Sequence, residues 1–114
     1  MRVYRGDIYY CDFGHINVLG SEQRGIRPVL IVQNDVANEH STTVVVVPLT
    51  SKLKKANLPS HVLLEDYVFL ERGMALTEQV KTIDKTRLLG YVISVSEQDM
   101  QKVTEALKRT LAII

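Results

Sequence analysis

The sequence predicts a mainly β fold in which a small, strongly bent antiparallel sheet or open barrel is followed by one helix. Several short apolar or alternating segments follow one another with tight connections, as in all-β domains. Four successive valines, at 44–47, favour sheet over helix because β-branched side chains are restricted in a helix. An apolar stripe with helical spacing occurs near the carboxyl end. With 114 residues, the chain is expected to form one domain, 1–114.

The first half of the chain contains three predicted strands. Residues 5–13, RGDIYYCDF, alternate and are rich in aromatic and β-branched residues, which predicts the first strand. A long loop is predicted over 14–26, where three glycines lie among polar residues. The continuous apolar run PVLIVQ, 28–33, is typical of a strand covered on both faces. After a turn or a single helical turn over 34–40, the segment TTVVVVPLT, 42–50, predicts the third strand.

The second half of the chain is predicted to add three short strands. A basic, turn-rich loop over 51–59 precedes one strand over 61–65 and another over 73–80. The segment TIDKTRL predicts a short helical turn that begins at Asp84, and the last strand is predicted over 90–95.

A carboxyl-terminal helix is predicted to begin at Ser96. Asp99 lies three residues further on, a spacing that resembles a capping box with aspartate in the place of glutamate. Apolar residues follow at spacings of three and four: Met100, Val103, Leu107, Leu111 and Ile114. This stripe is expected to pack on the sheet or on another chain.

Composition and charge describe an ordinary globular chain without a disulfide framework. The 14 Lys and Arg against 13 Asp and Glu give a formal net charge of +1, so any attraction to nucleic acid has to come from a local cluster of cations. Cys11 has no partner within the chain. Residues 1–14 contain charges rather than an apolar signal sequence, and no apolar run approaches the roughly 20 residues that span a bilayer. A bacterial-type cytoplasm is the expected location.

An arginine stands where the second predicted strand begins, and its position needs an explanation. Pro28 cannot donate to a β-ladder, so it belongs at a strand start or an edge and places Arg27 at the mouth of the strand. If the second and third strands pair as antiparallel neighbours, Arg27 and Thr50 finish near the same edge of the sheet. Cations are expected to gather at this rim: Arg24, Arg27, Lys52, Lys54 and Lys55.

These side chains suit a phosphodiester. A guanidinium is a planar fork that matches two phosphate oxygens, and the lysines add positive charge around it. In RNA the 2′-hydroxyl is tethered beside the scissile phosphate, so no metal is needed to bring the nucleophile. Arg27 would stabilise the anionic phosphorane, and Thr50 would hydrogen-bond the same oxygens.

Simpler interpretations of these residues stay open. An arginine at a strand mouth is most often an ion-pair partner, here for Glu22 or Asp35, and Thr50 is more often a turn residue. The histidines share no metal-ligand spacing and are interpreted as surface or loop residues: His15, His40 and His61. Cys11 is expected in the core rather than as a nucleophile. No well-placed histidine–carboxylate pair is seen, which weakens a hydrolase with a conventional general base.

Taken together, these segments resemble the MazF/PemK family of toxin endoribonucleases from bacterial toxin–antitoxin modules. The resemblance extends over nearly the whole chain and is carried by RGDIYYCDF, GSEQRGIRPVLIVQND, VVVVPLTS and EQVKTIDKTRL. The central block and its spacing to PLTS are a specific signal, whereas a short piece such as RGD alone is not.

The resemblance implies an SH3-like barrel with a carboxyl-terminal helix, usually a homodimer. It implies cleavage of single-stranded RNA at short sequence motifs without a metal or other cofactor, which leaves a 2′,3′-cyclic phosphate and a 5′-hydroxyl. The family's catalytic arginine and threonine correspond to Arg27 and Thr50. Residues that would contact RNA are Ser21, Glu22, Gln23, Arg24, Ser51, Lys52, Lys54, Lys55 and Gln79. The implied partner is a cognate antitoxin whose disordered tail folds onto the toxin and blocks the RNA groove.

Two features depart from the family pattern and leave the cleavage motif open. Arg24 stands where many relatives carry a small residue, and the segment GHINVLG before it is variable in the family. The groups that transfer protons are open as well, because a guanidinium stays protonated in proteins and is a poor base.

Two other classes of function are kept as alternatives. The near-neutral net charge and the missing general base fit a non-enzymatic toxin of the same barrel type that poisons gyrase by binding it. A plain SH3-like peptide-binding module would need an exposed aromatic groove, for which two Phe, five Tyr and no Trp offer little.

Overall fold

The structure of the protein, a computed structural model, describes residues 2–14, 25–53, 55, 57–68 and 71–114, with the side chains of 65–68 and 71–72 excepted. Seven strands and two helices lie in this part of the chain. In chain order they are β1 (Asp7–Asp12), β2 (Ile26–Ile31), α1 (Asp35–His40), β3 (Thr43–Thr50), β4 (His61–Val68), β5 (Glu71–Leu76), β6 (Lys81–Asp84), β7 (Leu88–Ser94) and α2 (Glu97–Thr110). Single 3-10 turns at Thr77–Gln79 and Lys85–Arg87 flank β6.

All strand pairs in the described residues are antiparallel, and β3 is the strand that joins them. The hydrogen-bonded order is β4-β5-β3-β2-β1-β7, and β6 also pairs with β3. One edge of β3 pairs with β2, while the other pairs first with β6 and then with β5. No ladder joins β4 to β7 within the described residues, so the sheet is bent but not closed. The predicted class is confirmed: a mainly antiparallel, barrel-like β fold with a carboxyl-terminal helix.

The start of β2 differs from the prediction, because Arg27 and Pro28 lie inside the strand rather than at its mouth. The ladder between β1 and β2 continues past Pro28, and Cys11 pairs with Arg27. The missing N–H of Pro28 is tolerated because the ladder to β3 has already ended, at the pair Val29–Pro48.

The predicted strand over 73–80 is wrong at its end, since β5 stops at Leu76 and a 3-10 turn follows. β6 then pairs with β3 where the sequence predicted part of a helical turn. Only Ile83 of its four residues is buried, so β6 has too little apolar pattern to be predicted. The helical turn begins after Asp84, as predicted, and Oδ1 of Asp84 accepts the backbone N–H of Thr86 at 2.8 Å.

Apolar side chains on the two faces of the sheet form two separate cores. The first core contains residues of β1–β5, the inner face of α2 and Val95 between β7 and α2: Ile8, Leu30, Val47, Leu49, Val62, Leu64, Ala75, Val95, Met100, Val103 and Ala106. The second core lies on the other face: Val3, Tyr9, Cys11, Phe13, Val29, Ile31, Val44, Val46, Ile83 and Leu88. Because successive strand residues point to opposite faces, the register decides which side chains remain for a site.

The helix α2 packs on the first core, so its apolar stripe faces the sheet. Ser96 caps its start, as predicted, and accepts the backbone N–H of Asp99 at 3.2 Å. Leu107 packs against the first core, whereas Leu111 and Ile114 follow the last helical residue and are exposed. In the described part of the chain, no helix combines the length and apolar character needed to cross a membrane.

Asp35 connects the amino-terminal segment to α1. Its Oδ1 accepts the backbone N–H of Arg5 at 2.7 Å and the amide N–H of Asn38 at 3.0 Å. These hydrogen bonds, above all the one from Arg5, hold the pKa of Asp35 below its ordinary value. A carboxyl whose pKa is lowered by folding stabilises the protein above its ordinary pKa, and the stabilisation is lost as the pH falls through the folded value.

We expect Asp35→Asn to lower the free energy of unfolding at pH 7 by roughly 0.5–1 kcal/mol, because the carboxylate is exposed and partly screened by water. The difference from wild type should shrink as the pH falls below roughly 3.9 and wild-type Asp35 becomes protonated. Urea unfolding at neutral and strongly acidic pH measures both differences. Glu39→Gln in the same helix is the control, and an Asp35→Asn deficit that is equal at both pH values would contradict the assignment.

Candidate functional site

Arg27 and Thr50 lie at one end of the sheet and on one of its faces. The last pair of the antiparallel ladder between β2 and β3 joins Val29 to Pro48. Continued by two residues, the same register places Arg27 opposite Thr50. Opposite residues in an antiparallel pair carry their side chains on the same face. The extended register therefore puts Arg27 and Thr50 at the same end and on the same face of the sheet.

Arg27 is exposed, and its guanidinium has no ion-pair or hydrogen-bond partner in the described part of the chain. Asp35, one of the two partners considered from the sequence, binds Arg5 and Asn38 instead. Glu22, the other, lies outside the described residues. A permanent cation is thus presented to solvent at this end of the sheet.

Thr50 is half-buried, and its hydroxyl oxygen accepts the backbone N–H of Lys52 at 3.1 Å. This contact makes Thr50 a turn residue at the end of β3, which was the simpler interpretation. A hydroxyl can accept and donate at the same time, so its hydrogen can still be donated to a ligand. The two roles are therefore compatible.

The other predicted loop residues divide into those that the structure describes and those outside it. Ser51, Lys52 and Lys55 are exposed in the loop that follows β3. Lys55 has a φ of 56°, and its carbonyl oxygen accepts the N–H of Leu58 at 3.1 Å, so the chain turns sharply there. Five predicted residues lie outside the described part: Ser21, Glu22, Gln23, Arg24 and Lys54.

Gln79 lies on the side of β3 that faces away from β2. It ends the 3-10 turn between β5 and β6, both of which pair with β3. Thr50 lies opposite Met74 of β5, and Val46 lies opposite Lys81 of β6, so the turn passes β3 between these two pairs. The half-buried Gln79 therefore flanks β3 beside the strand end that carries Thr50.

His61 and Glu78 form a short histidine–carboxylate pair that the sequence analysis missed. Nε2 of His61 lies 2.6 Å from Oε2 of Glu78, and Nδ1 lies 3.0 Å from the carbonyl oxygen of Lys55. The side chain of His61 is only 9% exposed, against 40% for Glu78. Both the interpretation of His61 as a surface or loop residue and the stated absence of such a pair are wrong. Residues 17 positions apart give no local signal, and only the pairing of β4 with β5 brings them together.

The two contacts of His61 join separate segments of the chain. A carbonyl oxygen can only accept, so the contact of Nδ1 with Lys55 requires a hydrogen on that ring nitrogen. Through Nδ1 and Nε2, His61 links the basic loop after β3 to the turn that carries Gln79.

His61 lies on the same sheet face as Thr50, two strands away. Thr50 is opposite Met74 of β5, and Met74 is opposite Leu63 of β4. His61 precedes Leu63 by two residues and so shares its face, while the intervening Val62 points into the first core. One face therefore carries the cation of Arg27, the hydroxyl of Thr50 and the imidazole of His61.

The remaining candidates for a metal ligand or nucleophile show no such arrangement. His40 is exposed on α1, as predicted, and His15 lies outside the described residues. No three His, Cys, Asp or Glu side chains of the described residues lie close enough together to hold a metal ion. Cys11 is buried in the second core, which confirms the prediction that it is a core residue.

Comparison with known proteins identifies close relatives over the whole length of the chain. The family model described as PemK-like, MazF-like toxin of type II toxin–antitoxin system matches residues 4–111. Endoribonuclease EndoA of Bacillus subtilis is 44% identical over 116 aligned residues, which cover 100% of this chain and 98% of the relative. Endoribonuclease MazF of Staphylococcus saprophyticus is 40% identical over 111 residues, which cover 96% and 91% of the two chains.

A similar fold is found in a solved complex. The endoribonuclease in complex with its cognate antitoxin from a Mycobacterial species superposes with a TM-score of 0.82 at 29% identity. The match covers 98% of this chain and 97% of that one.

The thiol reactivity of Cys11 tests whether β1, the strand that pairs with Arg27, is buried. Burial raises the pKa of the Cys11 thiol to about 11, although the nearby Arg87 and Lys81 cations act in the opposite direction. About one thiol in a thousand is then ionised at pH 8, and only the thiolate is reactive. We expect 5,5′-dithiobis(2-nitrobenzoate) to leave the folded protein unmodified at this pH and to modify its single cysteine in guanidinium chloride. Equally fast modification in both conditions would show that the strand is open to solvent.

Proposed function

Since the chain belongs to the PemK-like, MazF-like toxins of type II toxin–antitoxin systems, we propose that it is an endoribonuclease toxin that cleaves single-stranded RNA in the cytoplasm. Relatives at 44% and 40% identity bear the name endoribonuclease. The single observation that carries the proposal is the β2–β3 ladder, whose register, extended two residues past its last pair Val29–Pro48, puts Arg27 and Thr50 on one face of the sheet. That pair offers a cation and a hydrogen-bond donor to one phosphate.

The proposed reaction is a transesterification within the RNA. The 2′-oxygen attacks the adjacent phosphorus and loses its proton, while the bond from phosphorus to the 5′-oxygen breaks and that oxygen gains a proton. The products are a 2′,3′-cyclic phosphate and a 5′-hydroxyl. Arg27 stabilises the negative charge that builds on the phosphorane oxygens, and Thr50 donates a hydrogen bond to the same group. The nucleophile belongs to the substrate, so the role assigned to Arg27 and Thr50 is to hold and stabilise the phosphate.

We assign the predicted loop residues and Gln79 to RNA binding, on both sides of this pair. Ser51, Lys52 and Lys55 are exposed on the loop after Thr50, where they can reach the backbone of a bound strand. From the sequence alone, we propose the same RNA-binding role for Ser21, Glu22, Gln23, Arg24 and Lys54. His61 acts as a positioning residue, because it holds this loop against the turn that carries Gln79.

A homodimer and an antitoxin complete the proposed system. Edge strand β7 exposes three large apolar side chains, Leu89, Tyr91 and Ile93, which supports association of two copies through this strand. A relative with the same fold was solved with its cognate antitoxin, which supports an antitoxin partner here. An acidic, disordered antitoxin tail suits the exposed cations at the end of β2 and after β3.

We expect Arg27→Ala to lower RNA cleavage by roughly 10²-fold or more, because it removes the charge that stabilises the phosphorane. The measurement is digestion of a defined RNA in EDTA, with the chemistry of the new ends mapped. Arg109→Ala, which removes an exposed arginine from α2, is the matched control. Undiminished cleavage by folded Arg27→Ala would falsify the catalytic assignment, and gyrase capture without RNA products would favour the non-enzymatic alternative.

We expect His61→Ala to raise KM about tenfold with kcat nearly unchanged, because the basic loop loses its hydrogen-bonded link through His61 to Glu78. Initial rates across a pH series measure both constants, and thermal melting reports any loss of folding. His40→Ala is the control, since His40 is 74% exposed on α1. A kcat that falls a hundredfold and loses one limb of its pH profile would instead make His61 a proton-transfer catalyst.

A further inference from the structure

Two further cations lie beside Arg27, at the carboxyl end of β1. Nζ of Lys81 lies 4.9 Å from the centroid of the Phe13 ring. Nη1 of Arg87 donates to the carbonyl oxygen of Asp12 at 3.1 Å. Both cationic residues are exposed. Neither has a role in the site described above, although both belong to segments that flank it.

The position of Cys11 relates these two cations to Arg27. Arg27 lies opposite Cys11 on one side of β1, and Leu88, which follows Arg87, lies opposite it on the other side. Adjacent strands are about 4.8 Å apart, so the backbones of Arg27 and Leu88 are separated by roughly 10 Å. The charges of Arg87 and Lys81 both act to lower the pKa of Cys11, against the larger effect of burial. The charges of Arg87 and Lys81 therefore lie near Cys11, the residue of β1 that pairs with Arg27.

These charges are available to a ligand. Within the described residues, neither Lys81 nor Arg87 forms a salt bridge to a carboxylate. The charge of Arg87 acts to lower the pKa of Asp84, but the Asp84 carboxylate already accepts the N–H and the hydroxyl of Thr86. Of the five N–H donors of Arg87, one is used by the carbonyl of Asp12. A strip of exposed positive charge thus continues from Arg27 across the end of β1.

We propose that Lys81 and Arg87 bind RNA phosphates that flank the scissile one. The proposal rests on the endoribonuclease function, and it gives the RNA backbone a direction: from Thr50 and Arg27 across β1 toward β7. Exposed cations without carboxylate partners among the described residues attract a phosphate chain of any sequence, so these two residues contribute to affinity and position rather than to base recognition. They lie beyond the pair that contacts the reacting phosphate and are binding residues, not catalytic ones.

The test separates binding from chemistry. The cut made by wild type in a defined RNA transcript is mapped first, and a short oligonucleotide across the cut serves as substrate. Lys81→Gln, Arg87→Gln and the double variant are compared for kcat and KM. Binding of the same oligonucleotide with a 2′-deoxy sugar at the cut is measured over a range of salt concentrations, because this probe cannot be cleaved by the proposed chemistry. The control is Lys102→Gln with Lys108→Gln, an equal loss of charge from the exposed surface of α2.

We expect KM to rise about tenfold for each lost contact while kcat changes by less than about twofold. The slope of log affinity against log salt should fall by about 0.7 for each variant and by about 1.4 for the pair, as for single-stranded nucleic acids. Arg87→Lys, which keeps the charge, should restore the slope, and a purely structural role for Arg87 would not show this rescue. A double variant with the slope of the control overturns this proposal alone. Wild type that neither cuts nor binds the RNA overturns the endoribonuclease function as well.

Discussion

The pairing of β3 on both of its edges is the constraint on which the rest of the structure depends. Its hydrogen bonds alternate between the two neighbours: the carbonyl of Val45 accepts the N–H of Val32 on one side, and the carbonyl of Thr42, just before the strand, accepts the N–H of Lys85 on the other. Pro48 has no N–H, and by this alternation an N–H at this position would point toward β6 and β5. It would meet the gap between their two ladders to β3. A proline is tolerated in a central strand here because the ladder is already interrupted.

Beyond this gap β3 pairs with β5, at Leu49 and Thr50, where the ladder between β3 and β2 has already ended. Arg27 is then held by β1 through Cys11, and Thr50 is held by β5 through Met74, while the space between their strand ends is free of a ladder. Each of the two residues stands on a backbone that is paired with a neighbouring strand. An arrangement of this kind can present two polar groups to one ligand without a large cost of ordering, which is the property that electrostatic catalysis needs.

The charge distribution shows why a nearly neutral chain can still suit a polyanion. Among the described residues, positive side chains without carboxylate partners lie near the ends of β1 and β2, whereas other cations are paired, as Arg2 is with Glu39. Potential at a surface follows from local charges rather than from the sum. An acidic antitoxin segment and an RNA strand would meet the same cations under the proposed function, so one could exclude the other by occupying them. His61 extends this surface by joining the basic loop to the neighbouring turn.

Local patterns in the sequence determined the fold class, the strand of four valines, the cap at Ser96 and the neighbouring ends of β2 and β3. Each of these features depends on residues close together in the chain or on one antiparallel connection. The tertiary structure decided the rest. The His61–Glu78 pair depends on β4 pairing with β5, and the approach of Arg87 to the site depends on β7 pairing with β1. Such contacts join residues far apart in sequence, and a register shift of one residue would send each side chain to the opposite face. Periodicity within a strand indicates which of its side chains share a face, but not which distant strand lies beside it.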